Sequence, residues 1–225
     1  MPSIAVVTGG SRGIGKAFVD ALTAAGVQVE APTQADLDVR NADQVQAFLA
    51  DVVARNGSID LLINNAGWAE PVGTLEQLSE EAMNQCVDTN IKGVFHFLHA
   101  ALPFMKKQKH GGMIINMGSR AGTRAHPGLA VYSATKFAVR GLTQAVAREC
   151  IEANVPVTTI SLSPGGVDTE MRATLFGKEN SSRQQKPEVI AQILLQILRG
   201  ELDVPTGADV IIVGGKVERI APMDA

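Results

Sequence analysis

The chain has 225 residues, of which 45% are hydrophobic, and it carries a formal net charge of −3. We expect a single domain spanning residues 1–225 with a large buried core, and the charge gives no reason to expect a nucleic-acid partner. No apolar run is long enough to cross a bilayer and no signal peptide is recognisable, so we predict a cytoplasmic protein without a membrane partner.

Apolar runs that alternate with helical patterns define the predicted elements. The predicted strands cover residues 4–7, 27–31, 37–39, 59–63, 113–115, 155–162 and 210–213. Helices are predicted from the first turn to about Ala25, from about Ala42 to Arg55, from Ser79 through Met105, from Tyr132 to about Asn154, and from Pro187 onward. This alternation predicts a three-layer α/β fold, a doubly wound parallel sheet with helices on both faces.

Two of these helices contain the cysteines, Cys86 and Cys150. Neither has a partner at metal-ligand spacing, so we predict free thiols and no metal site.

Tyr132 and Lys136 stand four residues apart on a predicted helix and therefore share a face. A neighbouring ammonium lowers the pKa of a phenol, which could then give a proton to a carbonyl oxygen or take one from an alcohol. Ser119, at the end of the preceding strand, could supply a hydroxyl that holds the same oxygen. Taken alone, the Tyr-x-x-x-Lys pair also fits an ordinary helix surface.

Three polar or glycine-rich stretches follow predicted strands. Gly9, Gly13 and Gly15 lie between the first strand and the first helix, where main-chain N–H groups can hold a pyrophosphate. Residues 64–67, Asn-Asn-Ala-Gly, and 164–169, Pro-Gly-Gly-Val-Asp-Thr, lie at the carboxyl ends of later strands, where ligands bind in such sheets. Each could also be an ordinary turn.

Together these motifs resemble the short-chain dehydrogenase/reductase family, regular-length branch, and within it the 3-oxoacyl-[acyl-carrier-protein] reductase-like members. The matching positions, in order along the chain, are residues 8–15, 64–67, Asn90, Ser119, Tyr132 with Lys136, and 164–169. The resemblance implies a Rossmann-type sheet of about seven strands. It also implies a nicotinamide dinucleotide and reversible hydride transfer between a carbonyl and a secondary alcohol.

The resemblance also implies catalytic roles. Tyr132 would be the general acid/base, Lys136 would lower its pKa and hold the nicotinamide ribose, and Ser119 would position the substrate oxygen. Asn90 would hold a water that links Lys136 to solvent. From the residues alone, Asn90 is better interpreted as an amide on a helix surface.

Cofactor contacts are implied for several segments. They are Gly9, Ser11, Arg12, Gly13, Ile14 and Gly15 in the first turn, Thr33, Asp38 and Val39 after the second strand, Asn64, Ala66 and Gly67, Pro164, Gly165, Val167 and Thr169, and also Tyr132 and Lys136. Residues 32–34 contain no acid to bind a ribose 2′-hydroxyl, and Arg12 could pair with a 2′-phosphate. Both features favour NADP(H) over NAD(H), although Asp36 could restore a preference for NAD.

The expected substrate contacts are Trp68, Ser119, Arg120, His126 and Tyr132. Further pocket candidates are Glu70, Leu129, Val167 and residues 171–176, which belong to a short lid between Thr169 and Pro187. A 3-oxoacyl thioester or a small ketone or aldehyde would fit. The basic residues used by relatives to dock an acyl carrier are replaced by His110 and Ala153. The alternative is a catalytically silent, dinucleotide-binding regulatory protein of the same fold.

The long helix and the Tyr132 helix carry more than one apolar stripe, which includes Phe95, Phe97, Phe137 and Val139. A second stripe would remain exposed in a monomer, so we predict a homodimer or homotetramer.

Overall fold

A computed structural model describes residues 1–223 and contains a seven-stranded sheet. The strands are β1 (Ile4–Val7), β2 (Gln28–Glu30), β3 (Leu61–Asn64), β4 (Gly112–Met117), β5 (Val157–Pro164), β6 (Asp209–Val213) and β7 (Lys216–Ala221). Their order is β2-β1-β3-β4-β5-β6-β7, and every neighbouring pair is parallel except β6 and β7. The predicted doubly wound α/β fold is confirmed.

The helices are α1 (Gly13–Ala24), α2 (Ala42–Asn56), α3 (Glu80–Val87), α4 (Gly93–Met105), α5 (Ala130–Glu152), α6 (Glu170–Phe176), α7 (Lys178–Ser182) and α8 (Pro187–Leu198). Local chemistry sets their ends. The Ser79 hydroxyl accepts a hydrogen bond from the Ala82 N–H at 3.2 Å and caps α3, as predicted. Pro187 occupies the start of α8, where its missing N–H costs nothing.

The sheet separates two hydrophobic cores. Leu61 and Ile63 of β3 pack into the core beneath α1 and α8, whereas Leu62 packs into the core beneath α2, α4 and α5. Successive side chains of a strand point to opposite faces, so a strand covered on both sides is apolar throughout. This explains the unbroken apolar run of β3.

The strand predicted at residues 37–39 is wrong. Thr33 accepts main-chain hydrogen bonds from the N–H groups of Asp36 and Leu37, which makes a turn, and the Leu37 side chain is buried in the core. The prediction also lacked one strand, β7. This strand runs antiparallel to β6 and is joined to it by Gly214 and Gly215, both of which have positive φ. Such a Gly-Gly turn is a hairpin signal. The predicted number of strands agrees only because these two errors cancel.

The helix predicted from Ser79 through Met105 is interrupted. A π turn at Asp88–Lys92 separates α3 from α4, and the Gly93 N–H bonds to the Asp88 carbonyl five residues back. Pi turns often occur at functional sites. Cys86 lies just before this turn, and both it and Cys150 are buried as free thiols, as predicted.

None of the helices in residues 1–223 combines the length and the apolarity needed to cross a membrane.

Candidate active site

A cleft of about 940 Å³ lies at the carboxyl ends of the parallel strands. It brings together most of the predicted site residues, namely Gly9, Ser11, Arg12, Gly13, Ile14, Gly15, Asp38, Val39, Ala66, Gly67, Trp68, Ser119, Arg120, His126, Tyr132, Lys136, Pro164, Gly165, Val167 and Thr169. Thr33, Asn64 and Asn90 were also predicted for the site but do not line the cleft.

The glycine-rich turn joins β1 to α1 and forms one wall of the cleft. Gly13 has φ +56°, a conformation that favours glycine, and a Cβ on Gly15 would lie 2.1 Å from the Gly9 carbonyl oxygen. The turn can therefore be this tight only with glycine at those positions. No side chain caps the first N–H groups of α1, so they are available to an anion. The residues present fit the pyrophosphate of a dinucleotide.

A hydrogen-bonded clamp holds this turn to the segment after β3. The Thr8 hydroxyl accepts from the N–H groups of Asn65 and Ala66, each at 2.9 Å, and the Asn65 amide donates to the carbonyls of Thr8 and Gly9. Asn65 was missed as a site residue. Of the two asparagines in the motif, it is the one that follows the end of the strand and faces the turn.

Asn64, which was predicted to contact the cofactor, instead lies in the sheet. It is the last residue of β3, and its amide donates to the Asn116 side chain at 2.8 Å. Asn116 in turn donates to the Thr143 hydroxyl of α5 at 3.0 Å. The alternation of the strand turns the Asn64 side chain into the core, so the predicted cofactor contact is left to its main chain.

Ser119, Tyr132 and Lys136 meet on the opposite wall of the cleft. The Lys136 Nζ lies 5.5 Å from the centre of the Tyr132 ring and donates to the Met117 carbonyl at 2.7 Å. The Ser119 and Tyr132 side chains are hydrogen-bonded to each other. A Cβ on Gly122 would lie 2.6 Å from the Lys136 carbonyl oxygen, so this glycine lets the turn after Ser119 pack closely against α5.

The electrostatics of this wall differ from the expectation that Lys136 lowers the pKa of Tyr132. Burial raises the pKa of the Tyr132 phenol above its usual value, and the hydrogen bond with Ser119 only partly opposes this rise. Burial also lowers the pKa of Lys136 to about 8. The reason is that burial, nearly complete for Lys136 and partial for Tyr132, disfavours their charged forms, and Lys136 is directed at the Met117 carbonyl.

Asn90 lies on the π turn and is 1% exposed, so its interpretation as a helix-surface amide is wrong. Its side-chain oxygen accepts from the Trp68 N–H at 2.8 Å. Its amide nitrogen donates to the Trp68 carbonyl at 2.8 Å and to the Thr135 hydroxyl at 3.0 Å. The side chain thus ties the π turn and α5 to the segment that carries Trp68.

Glu70, expected in the substrate pocket, is instead completely buried at the start of α5. Its carboxylate accepts main-chain hydrogen bonds from Val131 and Tyr132. The expectation of a pocket residue is wrong because the chain turns inward after Trp68. No sequence pattern reveals this contact, which joins residues about sixty positions apart.

Comparisons with known proteins agree with this arrangement. The family model for short chain dehydrogenases matches residues 3–180. The chain belongs to the short-chain dehydrogenase family.

Relatives and solved structures extend this result. An uncharacterized oxidoreductase of Staphylococcus saprophyticus is 36% identical over 195 residues, which cover 78% of each chain. The 3-oxoacyl-[acyl-carrier-protein] reductase of Thermotoga maritima is 31% identical and covers 95% of this chain and 97% of its own. The structure of a 3-ketoacyl-(acyl-carrier-protein) reductase from Brucella melitensis, complexed with NADH, has a TM-score of 0.86 at 24% identity, with coverages of 95% and 97%. The last comparison shows the shared fold.

This dehydrogenase is an oxidoreductase of the class that acts on CH–OH groups. Near the carboxyl end of β2, the acidic side chains of Glu30 and Asp36 already form hydrogen bonds within the protein. Glu30, the last residue of β2, is bound by Arg55 and Asn56 and does not line the cleft. Asp36 accepts from the Thr33 hydroxyl at 2.6 Å and likewise lies outside the cleft. Asp36 is thus not turned into the position that would restore a preference for NAD.

Two pairs of charged side chains line that end of the cleft. Asp38 forms a salt bridge with Arg40, which was not predicted as a site residue. Arg12 bonds to Glu170 at 2.8 Å, and its side chain is 74% exposed. Both arginines are close to the surface, where such pairs are weak and can be exchanged for a ligand phosphate.

The substrate end of the cleft lies between the loop before α5 and the short helices α6 and α7. The His126 and Phe176 rings meet edge to face with centres 5.9 Å apart, and the Arg172 guanidinium lies 4.8 Å from the centre of the Phe176 ring. The predicted short lid is therefore helical and contacts the opposite loop. Arg172, within the predicted pocket segment 171–176, lines this end, and so do Arg124 and Gln184, which were not singled out from the sequence.

Proposed function

We propose that this dehydrogenase interconverts a carbonyl and a secondary alcohol with NAD(P)(H), and that it works as an NADPH-dependent reductase. The observation that carries the proposal is the convergence of Ser119, Tyr132 and Lys136 on the cleft whose far wall is the glycine-rich turn. A protein that only bound a dinucleotide would need no proton donor beside it.

In the proposed reaction, the bound nicotinamide supplies or accepts the hydride. The Ser119 hydroxyl donates a hydrogen bond to the substrate carbonyl oxygen and fixes its position. Tyr132 then gives its phenolic proton to the same oxygen, and Lys136 stabilises the phenolate that forms. The raised pKa of Tyr132 suits this role, because it keeps the phenol protonated at neutral pH.

We propose that the dinucleotide binds along the glycine-rich turn and the segment 164–169. The uncapped N–H groups of α1 would hold the pyrophosphate, and residues 164–169 would hold the nicotinamide end. Lys136 would also hold the nicotinamide ribose. The preference for NADPH is supported by Arg12 and Arg40, which could pair with a 2′-phosphate, and by the absence of an uncommitted acid among the described residues around β2.

Asn90 would act in the proton route that the family resemblance implies. Because its side-chain amide is already bonded to Trp68 and Thr135, we assign the water contact to its main-chain carbonyl on the π turn.

The substrate is proposed to be a 3-oxoacyl thioester or a small ketone or aldehyde that reaches Tyr132 past Trp68, Arg120 and His126. We also propose a cytoplasmic homodimer or homotetramer. Phe95 of α4 and Phe137 of α5 are 46% and 44% exposed, which supports an apolar interface, whereas Phe97 and Val139 of the same helices are buried in the core.

A substrate panel tests the proposal directly. Purified protein is mixed with NADPH or NADH and with ketones, aldehydes and 3-oxoacyl thioesters, and the loss of reduced nicotinamide is followed by absorbance. We expect turnover of at least one class with NADPH. Nucleotide binding without turnover of any of them would favour the regulatory alternative. Light scattering on the eluted protein tests assembly, and a 23.7 kDa species would contradict the oligomer.

A further inference from the structure

A buried carboxylate lies directly beneath the proposed proton donor. Glu70 has no exposed surface, and within residues 1–223 it forms no salt bridge. One oxygen accepts from the Val131 N–H at 2.9 Å and from the Tyr132 N–H at 3.0 Å, and the other lies 3.0 Å from the Tyr132 nitrogen. A buried charge is costly unless polar groups compensate it, so a carboxylate at this place requires an explanation.

The start of α5 supplies that compensation. The residue before the helix, Leu129, has no side chain able to cap it, and Glu70 takes over this function from a distant part of the chain. Main-chain N–H donors and the positive end of a 23-residue helix compensate the buried carboxylate. Glu70 is therefore held by main-chain hydrogen bonds against the first turn of the helix that carries Tyr132.

The same buried network also holds the other side of the Tyr132 main chain. Glu70 lies 3.6 Å from the Cys86 sulfur, which lies 3.4 Å from the Asn90 amide. Asn90 donates to the Thr135 hydroxyl, and Thr135 donates to the Tyr132 carbonyl at 2.8 Å. Both the N–H and the carbonyl of Tyr132 are thus fixed by buried side chains.

We propose that Glu70 is a positioning residue that fixes the start of α5 and, through its charge, keeps the Tyr132 phenol in its proton-donating form. The inference rests on the proposed function, because it gives Tyr132 the role of proton donor. Lys136 faces the phenol from one turn further along α5 and favours the phenolate by charge. Glu70 opposes Lys136, so the two charges together set how readily Tyr132 releases its proton.

The ionisation of Tyr132 supports this inference. Burial is the largest cause of its raised pKa, the Ser119 hydrogen bond opposes it, and the Cys86 and Glu70 charges raise it further. Cys86 itself adds little charge near neutrality, because burial raises its pKa to about 12. The other charged or titratable groups on this wall of the cleft are Arg120, Arg124, His126 and Arg172. A substitution at Glu70 leaves them in place, so their effect on the Tyr132 pKa is the same in both proteins.

The chain offers an unusually direct test, because Tyr132 is its only tyrosine. The ultraviolet absorbance of phenolate, followed against pH, therefore reports Tyr132 alone and needs no turnover. Glu70→Gln keeps the shape and an acceptor oxygen but removes the charge. We expect its phenol to titrate at a lower pH than in the parent, by up to about one pH unit.

Glu218→Gln, on the exposed face of β7, removes the same charge far from the cleft and should leave the titration unchanged. If Glu70→Gln does not fold, Glu70→Asp replaces it; its charge retreats by one methylene, and we expect a smaller shift in the same direction. An unmoved midpoint, even with a lower melting temperature, would overturn the proposal and leave Glu70 as a helix cap only. A shifted midpoint in a protein that reduces no carbonyl would instead contradict the proposed function alone.

Discussion

The two ends of the cleft are built in different ways. The dinucleotide end is a continuous piece of chain, in which main-chain groups of residues 8–15 form the wall and the Arg12 side chain extends into solvent. The reacting end is assembled from distant segments, and its polar groups, such as Glu70 and Asn90, are buried and hydrogen-bonded to main-chain groups of other segments. The first end should tolerate changed side chains but no added bulk, whereas the second should fail when a single polar atom is removed.

The largest expected effect lies at the reacting end. Tyr132→Phe removes only the phenolic oxygen, and we expect the reduction rate to fall about 1,000-fold, because general acid catalysis contributes on that order. Nucleotide binding should be unchanged, since the first wall is untouched. The only tryptophan, Trp68, lines the cleft, so its fluorescence reports binding in both proteins. A variant that turns over as fast as the parent would end the proposed role of Tyr132.

The corresponding change at the dinucleotide end adds an atom. In Gly15→Ala the new Cβ would lie 2.1 Å from the Gly9 carbonyl oxygen, so the turn must move. We expect affinity for both nucleotides to fall about 100-fold, equivalent to roughly 3 kcal/mol. Fluorescence titration measures this loss. Gly141→Ala is the matched control, because nothing lies within 4 Å of its added Cβ in α5. If both variants bind alike, the turn is not the nucleotide site.

The same difference explains what the sequence could reveal. The glycine-rich turn and the Tyr132–Lys136 pair depend on neighbours along the chain, so spacing predicts them. The choice between Asn64 and Asn65 depends on where β3 ends, and strand ends are set by pairing with β1 and β4. Glu70 and Asn90 act through contacts with α5 that no local pattern records. The sign of the pKa shift of Tyr132 likewise depends on burial, which is a property of the folded chain.

The ionisation of Lys136 should make the rate at the reacting end depend on pH. Its pKa is about 8, so its ammonium is present below that pH and is lost above it. We expect kcat/KM for NADPH, which reports the free enzyme, to fall up to tenfold per pH unit above about 8 as the phenolate loses its partner. Tyr132 does not produce this limb, because its own pKa is raised above the usual value near 10. Lys136→Met should be slow at every pH and should lack the limb. A limb that persists in this variant would assign it to another group.

The smallest effect should come from the exposed Arg12 side chain at the dinucleotide end of the cleft. The salt bridge between Arg12 and Glu170 is a surface pair, worth at most about 1 kcal/mol, so a 2′-phosphate can displace it. We expect Arg12→Gln to lower the affinity for NADPH about tenfold, which corresponds to the loss of one charge-assisted hydrogen bond. The affinity for NADH should remain nearly unchanged. Lys16→Gln removes a charge from the same helix but outside the cleft, where Lys16 pairs with Asp20, and should affect neither nucleotide. An equal loss of both nucleotides in Arg12→Gln would mean that Arg12 binds the shared pyrophosphate, and the preference for NADP would then have to rest on Arg40 alone.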